Sequence, residues 1–346
     1  MLCAGFVRLI AGMSVVRGKP YVAAALTFTV ILVTLASVFY TEKNAQLSVV
    51  SELITGWEQT ENRGKLLTNW TSVPAPNVVL PTSFDSRNET FNCKRMSLMD
   101  MTFPVCYYTA QTDDTVTGFL LQGIYFEGDE VSRFIRLLRL DRQLQLVDIG
   151  ANVGLYSLPA ARVTNVLSVE PNWHSMFRLA KAVDLGRVIS NVTLVQNAIS
   201  NVRATLNMGV HPGNQGTAFL INTTKCKVTP NNKPCNTLSP TTTIHLNDLL
   251  PLMRSKSALM KIDVEGHEVN VFTDQTAGQF FDQIDVPLVF MEWGLCKRHS
   301  TDTVQRLLNF FYSRSYTVFN IDNSKLANHY LSWPENVLFK KTYIRF

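Results

Sequence analysis

The sequence has little excess charge of either sign. It contains 32 Lys and Arg against 27 Asp and Glu among 346 residues, a formal net charge of +5. Three of the basic residues, Arg8, Arg17 and Lys19, lie in the first 40 residues, which contain no acid. The rest of the chain therefore has 29 basic (32 less 3) and 27 acidic side chains, a net charge of +2. Because nucleic-acid-binding surfaces are strongly basic, this balance argues against a nucleic-acid partner.

The chain also lacks an internal repeat and, at its main glycine turn, the G-x-G-x-x-G spacing of dinucleotide-binding proteins. The apolar run 144–147 is followed instead by D-x-G-x-N-x-G. Its defining residues are Asp148, Gly150, Asn152 and Gly154. A second apolar run follows and ends at Glu170. This order predicts the first βαβ unit of a nucleotide-type pocket, where glycines let the backbone approach a ligand and the acid accepts hydrogen bonds from ribose hydroxyls.

A ligand without phosphate fits this turn better than a dinucleotide does. A dinucleotide needs a helix N-terminus that faces its pyrophosphate, whereas S-adenosylmethionine needs room for its amino-acid end and an acid for its ribose. The turn therefore favours S-adenosylmethionine as the cofactor and weakens the alternative of a nicotinamide-dependent reductase. We expect Asp148, Gly150, Asn152, Gly154 and Glu170 to form the cofactor site.

Several downstream motifs make this prediction more specific. They occupy residues 170–172, 191–200, 214–216, 246–249, 261–268 (KIDVEGHE) and 289–293. In this order the set resembles the FkbM family of S-adenosylmethionine-dependent methyltransferases, over roughly residues 140–340. The resemblance implies O-methylation, and it places Asn197 or Ile199, after the third strand, beside the adenine. Pro159 departs from the expected pattern, because a proline kinks or shortens the helix after the glycine turn.

Strand-like and helix-like segments alternate from residue 144 onward. Strands are predicted at 144–149, 166–170, 192–199, 204–210, 258–264, 287–293, 316–321 and 336–341. Helices are predicted at 155–163, 172–185, 246–253, 268–282 and 301–314. This alternation predicts an α/β fold, a doubly wound, Rossmann-like, mostly parallel sheet with an antiparallel edge strand. We assign residues 144–346 to this domain and expect 211–240 to be a long loop.

Residues 91–143 are predicted to be an N-terminal extension of the catalytic domain. Segments 103–110 and 118–126 are strand-like, and 130–140 has helical spacing. Residues 41–90 are polar and contain Pro74, Pro76 and Pro81, which predicts a stem, either an extended linker or one that includes a short amphipathic helix.

Residues 21–40 carry no charge and are long enough, at about 1.5 Å per residue, to cross a hydrocarbon core of about 30 Å. The basic residues before this segment place residues 1–20 in the cytosol and the bulk of the chain in the lumen. We therefore expect a single-pass type II membrane protein of the endoplasmic reticulum or Golgi. The alternative is a cleaved signal peptide, although the apolar run is longer than such peptides usually have.

Glycosylation motifs and cysteines agree with a luminal location. Acceptor triplets begin at Asn69, Asn88, Asn191 and Asn222. Five of the six cysteines follow the apolar segment, where disulfides are permitted. The local pairs Cys93–Cys106 and Cys226–Cys235 would leave Cys296 unpaired.

The KIDVEGHE motif supplies the candidate catalytic residues. It follows a predicted strand, and ligands of open α/β sheets bind at the carboxyl ends of strands. His267 is the first candidate for the base that removes the acceptor proton, and Asp263 is the second. In the alternative interpretation, the acids begin a helix and His267 is structural. Glu292 ends the next strand and is a further candidate for the acceptor site. The spacing of these acids matches no strong metal motif, so no metal is predicted. The alternative is a divalent cation that lowers the pKa of the acceptor hydroxyl, with Asp263, Glu265, His267 and Glu268 as its ligands.

The sequence therefore predicts an S-adenosylmethionine-dependent O-methyltransferase of the secretory-pathway lumen. A membrane anchor and a hydroxyl-bearing acceptor, in particular a carbohydrate hydroxyl of a glycan, are its expected partners. The alternative from a different class is a catalytically inactive methyltransferase fold that acts as a binding or trafficking factor.

Overall fold

The computed structural model describes residues 91–221, 236–327 and 329–342. The predicted cytosolic tail, membrane span 21–40 and stem 41–90 lie outside these ranges. The acceptor triplets at Asn69, Asn88 and Asn222 and the Cys226–Cys235 pair also lie outside them. Within the three described ranges, none of the helices is both long and apolar enough to cross a bilayer.

The strands follow one another along the chain in this order: β1 (Asn92–Leu98), β2 (Met101–Tyr107), β3 (Leu144–Ile149), β4 (Val166–Val169), β5 (Val192–Val195), β6 (Ala198–Ile199), β7 (Thr205–His211), β8 (Asn214–Ile221), β9 (Asn236–Ile244), β10 (Ser257–Ile262), β11 (Asp285–Glu292), β12 (Tyr316–Phe319) and β13 (Asn336–Lys341). The α-helices are α1 (Val116–Leu121), α2 (Gly128–Leu140), α3 (Ser157–Ala160), α4 (Trp173–Leu185), α5 (Gln279–Gln283) and α6 (Thr301–Tyr312).

The main sheet has seven strands in the order β12-β13-β11-β10-β3-β4-β5. The five strands from β11 to β5 are parallel, and β13 is antiparallel to both β11 and β12. The prediction of a mostly parallel α/β sheet is confirmed. The antiparallel strand, β13, lies one position inside the edge that β12 forms. After β12 the chain turns back, and β13 inserts between β11 and β12.

Both faces of the sheet are covered. In β3, Leu144 and Leu146 pack in one apolar cluster, whereas Val147 and Ile149 pack in a second cluster. All six residues of β3 are buried. Because successive side chains of a strand point to opposite faces, this alternation places one layer on each side of the sheet, as a doubly wound fold requires.

The helix after the glycine turn is only four residues long, Ser157–Ala160, instead of the predicted 155–163. Pro159 has no N–H to donate to the carbonyl of Leu155 in the preceding turn. The hydroxyl of Tyr125 donates to that carbonyl instead. The expected shortening at Pro159 is confirmed, and the extension supplies the missing hydrogen bond.

The predicted helix 268–282 is wrong as a continuous element. The segment has a 3-10 turn at Glu268–Asn270, a π-helical turn at Asp274–Gly278 and then α5. Thr273 is extended between the first two turns, and its hydroxyl accepts a hydrogen bond from the N–H of Thr276. A hydroxyl that begins a new turn in this way interrupts the helix. The predicted helix 246–253 is also a 3-10 helix, at Leu246–Leu252.

The extension is packed against the main domain. A disulfide joins Cys93 of β1 to Cys106 of β2, as predicted. The predicted strand 118–126 is wrong, because this segment contains helix α1. The carboxylate of Asp113 accepts hydrogen bonds from both the N–H and the hydroxyl of Thr117, which stabilises the first turn of α1. The helix and strand propensities of residues 118–126 do not indicate this contact.

Part of the predicted loop 211–240 is a sheet. Strands β6, β9, β7 and β8 form a second sheet in that order, and β7 pairs antiparallel with both β8 and β9. The prediction of a loop is therefore wrong for 214–221 and 236–240, while 222–235 lie outside the described residues. The β7–β8 hairpin covers the carboxyl ends of the main strands.

Candidate functional site

A cavity of about 210 Å³ lies at the carboxyl ends of β3, β4, β10 and β11. The β7–β8 hairpin forms one wall, and the segment of the extension around α1 forms another. Five carboxyl groups and one amine line the cavity, those of Glu127, Glu170, Asp263, Glu265, Glu292 and Lys261. His267 and Asn197 line it as well. The topology therefore brings most of the candidate residues to one place.

The glycine turn passes close to the end of β10. Gly150 has a φ of 78°, and a Cβ added to it would lie 1.7 Å from the carbonyl oxygen of Asp263. The Nζ atom of Lys261 donates to the carbonyl oxygen of Gly150 at 2.9 Å. Only glycine permits this approach and this backbone conformation together. Gly154 has a different role, because its missing Cβ makes room for Leu179, and it does not line the cavity.

Glu170, at the end of β4, holds the turn in place. Its Oε2 atom accepts from the N–H of Asn152, and its Oε1 atom accepts from the N–H of Asn172, both at 2.8 Å. Burial raises the pKa of Glu170 to about 7, although the two backbone N–H groups oppose this shift. Each oxygen keeps a lone pair that can accept a hydroxyl of a ligand.

Two of the sequence motifs meet beside Glu170. The side-chain amide of Asn172 donates to the carbonyl of Gln215 at 3.5 Å. The hydroxyl of Ser175 donates to the side-chain oxygen of Asn152 at 3.0 Å. Segment 214–216 therefore covers the turn after β3.

Asp148 lies behind the cavity and does not line it. It is buried, and its Oδ2 atom accepts from the hydroxyl of Ser157 at 2.6 Å. Its Oδ1 atom lies 3.9 Å from the Nζ atom of Lys261. Burial raises the pKa of Asp148, while the charge of Lys261 opposes that shift. The structure thus places Asp148 where it supports the turn and Lys261.

Asn197 is fully buried at the end of the third parallel strand, and its side-chain amide donates to the carbonyl of Thr242 at 3.0 Å. It lines the cavity together with Ala198 and Ile199. This part of the wall is mostly apolar and lies on the side of Glu170.

The other half of the cavity is acidic. Lys261 lies at its base, with its Nζ atom 3.4 Å from Asp263 and 5.5 Å from the ring centre of Tyr156. Burial lowers the pKa of Lys261, but the carboxylates of Asp263, Asp148 and Glu127 outweigh this effect and hold its pKa above the usual range. Lys261 is therefore charged, and its charge is shared among these acids.

His267 lines the cavity, and both of its ring nitrogens have partners. Its Nε2 atom lies 3.0 Å from the hydroxyl of Ser200, and its Nδ1 atom lies 3.2 Å from the side-chain amide of Asn270. An amide donor at Nδ1 leaves the proton of the neutral ring on Nε2. Burial, with a smaller contribution from His299, lowers the pKa of His267 to about 4. The ring is therefore neutral at neutral pH.

Glu292, Asp263 and Glu268 form a tight group of carboxylates. One oxygen of each lies within 4.8 Å of the other two, an arrangement that could hold a metal ion. Glu268 is fully buried and accepts from the N–H of Val264 at 2.8 Å. Burial raises the pKa of Glu268 to about 7. Burial and the charges of Asp263 and Glu265 raise the pKa of Glu292 to about 10, so that Glu292 is protonated at neutral pH.

Sequence reasoning missed Glu127 and Tyr156. Glu127 precedes α2 with a φ of 55°, and the hydroxyl of Tyr156 donates to its Oε2 atom at 3.0 Å. Both side chains line the cavity beside Asp263. Glu127 belongs to the extension, and no local pattern marks it, because only the tertiary fold brings it to the strand ends.

The comparisons with known proteins agree with the sequence motifs. Residues 148–318 match the family model of the methyltransferase FkbM domain. No curated protein matches the chain. The similar solved structures include a methyltransferase FkbM from Methylobacillus flagellatus KT, 13% identical, with a TM-score of 0.35 over 57% of this chain and 43% of that chain. They also include a SAM-dependent O-methyltransferase from Thermotoga maritima, 9% identical, with a TM-score of 0.32 over 63% of this chain and 66% of that chain. The chain thus spans less than half of the first structure, and TM-scores this low assign no activity.

Proposed function

Because residues 148–318 carry a methyltransferase FkbM domain, whose cofactor is S-adenosylmethionine, we propose that this protein transfers a methyl group to a hydroxyl oxygen of a carbohydrate acceptor. The observation that carries the proposal is the position of Glu170 and the glycine turn, on one side of a cavity whose other side holds a set of carboxylates. The side with Glu170 and the glycine turn suits a nucleoside. The side with the carboxylates suits a positively charged group and a hydroxyl.

The residues on the side of Glu170 and the glycine turn fit the cofactor. Glu170 has lone pairs for two ribose hydroxyls, and Gly150 lets the backbone approach the ligand. Asn197 and the apolar residues after it offer a wall for a flat base. The cofactor supplies an electrophilic methyl group on a positively charged sulfur, and nearby carboxylates stabilise such a charge in a cavity of low dielectric constant.

The acceptor oxygen must lose its proton as it attacks the methyl carbon. Asp263 is the candidate to take this proton, because it lies at the cavity wall with its side chain 32% exposed, next to Lys261. Lys261 orients Asp263. Glu292, protonated at neutral pH, is suited to donate a hydrogen bond to a second acceptor oxygen. His267, with both ring nitrogens bonded, positions the KIDVEGHE segment against Ser200.

The secretory-pathway lumen is the proposed location. The uncharged segment 21–40 and the basic residues before it favour a type II membrane anchor. The Cys93–Cys106 disulfide supports an oxidising compartment, since disulfides are rare in the cytosol. Glycans are abundant carriers of hydroxyls in that compartment, and they are the proposed acceptors.

The proposal is tested by incubating the purified full-length protein, in detergent, with methyl-labelled S-adenosylmethionine and a mixture of released glycans. The expected result is label in the glycan fraction as an ether, resistant to mild base. Label that appears only in protein or lipid, or no label although the cofactor binds, would contradict the carbohydrate acceptor.

A further inference from the structure

We infer that the cavity selects a neutral, polyhydroxylated acceptor over an anionic one, and that Glu127, outside the matched FkbM domain, is one of the residues that bind this acceptor. The inference rests on the proposed function and narrows its substrate class. The expected acceptors are neutral sugars, and the excluded ones are uronic acids and sulfated or phosphorylated sugars.

The ionisable groups around the cavity disfavour an anionic acceptor. Besides Glu292, four carboxyl groups line it against one amine, that of Lys261. Among the described residues that line the cavity there is no arginine, and both ring nitrogens of His267 already have partners. Lys261 already contacts Asp263 and the carbonyl of Gly150. An anionic acceptor would therefore meet the like charge of Asp263 without a free cation, which we expect to weaken its binding at least about tenfold.

Glu127 is held in a fixed position at the cavity, where it can bind the acceptor. Its backbone adopts a left-handed conformation, with a φ of 55°, which is uncommon for a residue other than glycine. Such conformations persist where the surrounding structure enforces them, and they cluster at ligand sites. The phenol of Tyr156 holds the Oε2 atom of Glu127. Its Oε1 atom has no hydrogen-bond partner among the described residues, and it is free to accept a hydroxyl.

The segment around Glu127 is itself held against the cofactor half of the cavity. Asp113 forms a β-bridge with Asn214, and the N–H of Asp114 donates to the carbonyl of Gly213 at 3.0 Å. The side-chain amide of Asn214 donates to the hydroxyl of Thr115 at 3.2 Å. The extension and the β7–β8 hairpin thus close the cavity together, so that Glu127 faces whatever occupies its acidic half.

A carboxylate in this position recognises a sugar hydroxyl as a donor, because an ionised carboxylate only accepts hydrogen bonds. A neutral sugar presents several hydroxyl donors to Glu127 and Asp263. A uronic acid carries a carboxylate of its own, which has no hydrogen to donate to the carboxylates of the protein. The same acids that bind the neutral acceptor therefore exclude the anionic one.

The test compares matched acceptors. The purified full-length protein is given methyl glycosides of glucose, galactose and mannose, each beside its uronic acid, with saturating S-adenosylmethionine. For the hexose that is methylated, we expect kcat/KM to exceed that of its uronic acid by at least about tenfold. Equal or faster methylation of the uronic acid would overturn the inference and leave the proposed function intact. Methylation of neither, with the cofactor bound, would contradict the proposed function and the inference with it.

Glu127→Gln tests the residue, and Asp129→Asn is the matched control, because Asp129 lies two residues further on, is exposed and does not line the cavity. We expect Glu127→Gln to raise the KM for the neutral acceptor about tenfold and to reduce the preference over the uronic acid. The Kd for S-adenosylmethionine and the melting temperature should remain those of Asp129→Asn. An unchanged KM and preference in a folded Glu127→Gln variant would remove Glu127 from the acceptor site.

Discussion

The carboxylate of Glu170 accepts a hydrogen bond of 2.8 Å from the backbone N–H of Asn152 and thereby joins the end of β4 to the glycine turn after β3. The same side chain accepts the N–H of Asn172 at 2.8 Å with its other oxygen. The acid proposed to bind the ribose is thus also the acid that shapes the turn. A substitution at Glu170 affects both roles, and stability and cofactor affinity must be measured separately.

The pH dependence of stability tests the environment of Glu170. Its pKa is raised from 4.5 to about 7 in the folded protein, so folding favours the protonated form. This contribution is fully present below pH 4.5 and is lost as the pH rises through 7, a change on the order of 3 kcal/mol. We expect the stability of the cofactor-free protein, relative to Glu170→Gln, to fall between pH 5 and pH 8 in denaturant titrations. A difference that is constant or that grows with pH would contradict the assignment.

Gly150→Ala tests the contact between the turn and β10. A Cβ at this position would meet the carbonyl oxygen of Asp263 at 1.7 Å. Gly213 is a matched control, because its φ of 80° is close to the 78° of Gly150 and no atom lies within 4 Å of its added Cβ. We expect Gly213→Ala to cost about 1–2 kcal/mol for the left-handed backbone alone, and Gly150→Ala to cost at least about 2 kcal/mol more. Equal losses in chemical denaturation would show that the close contact has no energetic consequence.

The Cys93–Cys106 disulfide closes a loop with a sequence separation of 13. A loop of this size stabilises a fold by about 3 kcal/mol, chiefly by restricting the unfolded chain. The double variant Cys93→Ser, Cys106→Ser should therefore melt at a lower temperature than the wild type. A reductant should lower the melting temperature of the wild type and leave that of the double variant unchanged. Insensitivity of both proteins to the reductant would argue that the bond does not form.

Asn191 is expected to remain unglycosylated although it begins an acceptor triplet. Its side-chain nitrogen, the atom to which a glycan attaches, donates to the carbonyl of Ala161 at 2.9 Å. Arg254 donates to the hydroxyl of Thr193 in the same triplet at 3.3 Å. After expression in secretory cells, Asn191→Gln should leave the electrophoretic mobility unchanged, whereas Asn69→Gln should increase it. A mobility shift from Asn191→Gln would show that the side chain is modified before β5 packs.

The sheet was predictable from the sequence because its strands are short apolar runs. The predicted limits of β3 and β13 agree with those observed, 144–149 and 336–341. The glycine turn and Glu170 were predictable for a related reason, because the turn, the next strand and the acid at its end follow one another within one βαβ unit. Local pattern was sufficient at these positions. The contacts of Gly150 with Lys261 and Asp263 involve a distant strand and were not predicted.

The parts of the fold and of the site that were not predicted depend on contacts between distant segments. The run 118–126 looks like a strand, but Asp113 and the bridge to Asn214 place its beginning in α1. Glu127 reaches the cavity only because α2 packs beside β3. The bonds that occupy both nitrogens of His267 come from Ser200 and Asn270, and no local pattern indicates the first of them. The sequence therefore predicted which segments line the cavity better than it predicted the contacts of each side chain.

Calorimetric titration of the purified full-length protein with S-adenosylmethionine measures whether Glu170 and the glycine turn bind the cofactor. We expect binding of one cofactor per chain, weakened at least about tenfold in a folded Glu170→Gln variant and unaffected by Asp129→Asn. No detectable binding to the wild type, or equal affinity in the wild type and Glu170→Gln, would contradict the claim that Glu170 and the glycine turn form the cofactor site.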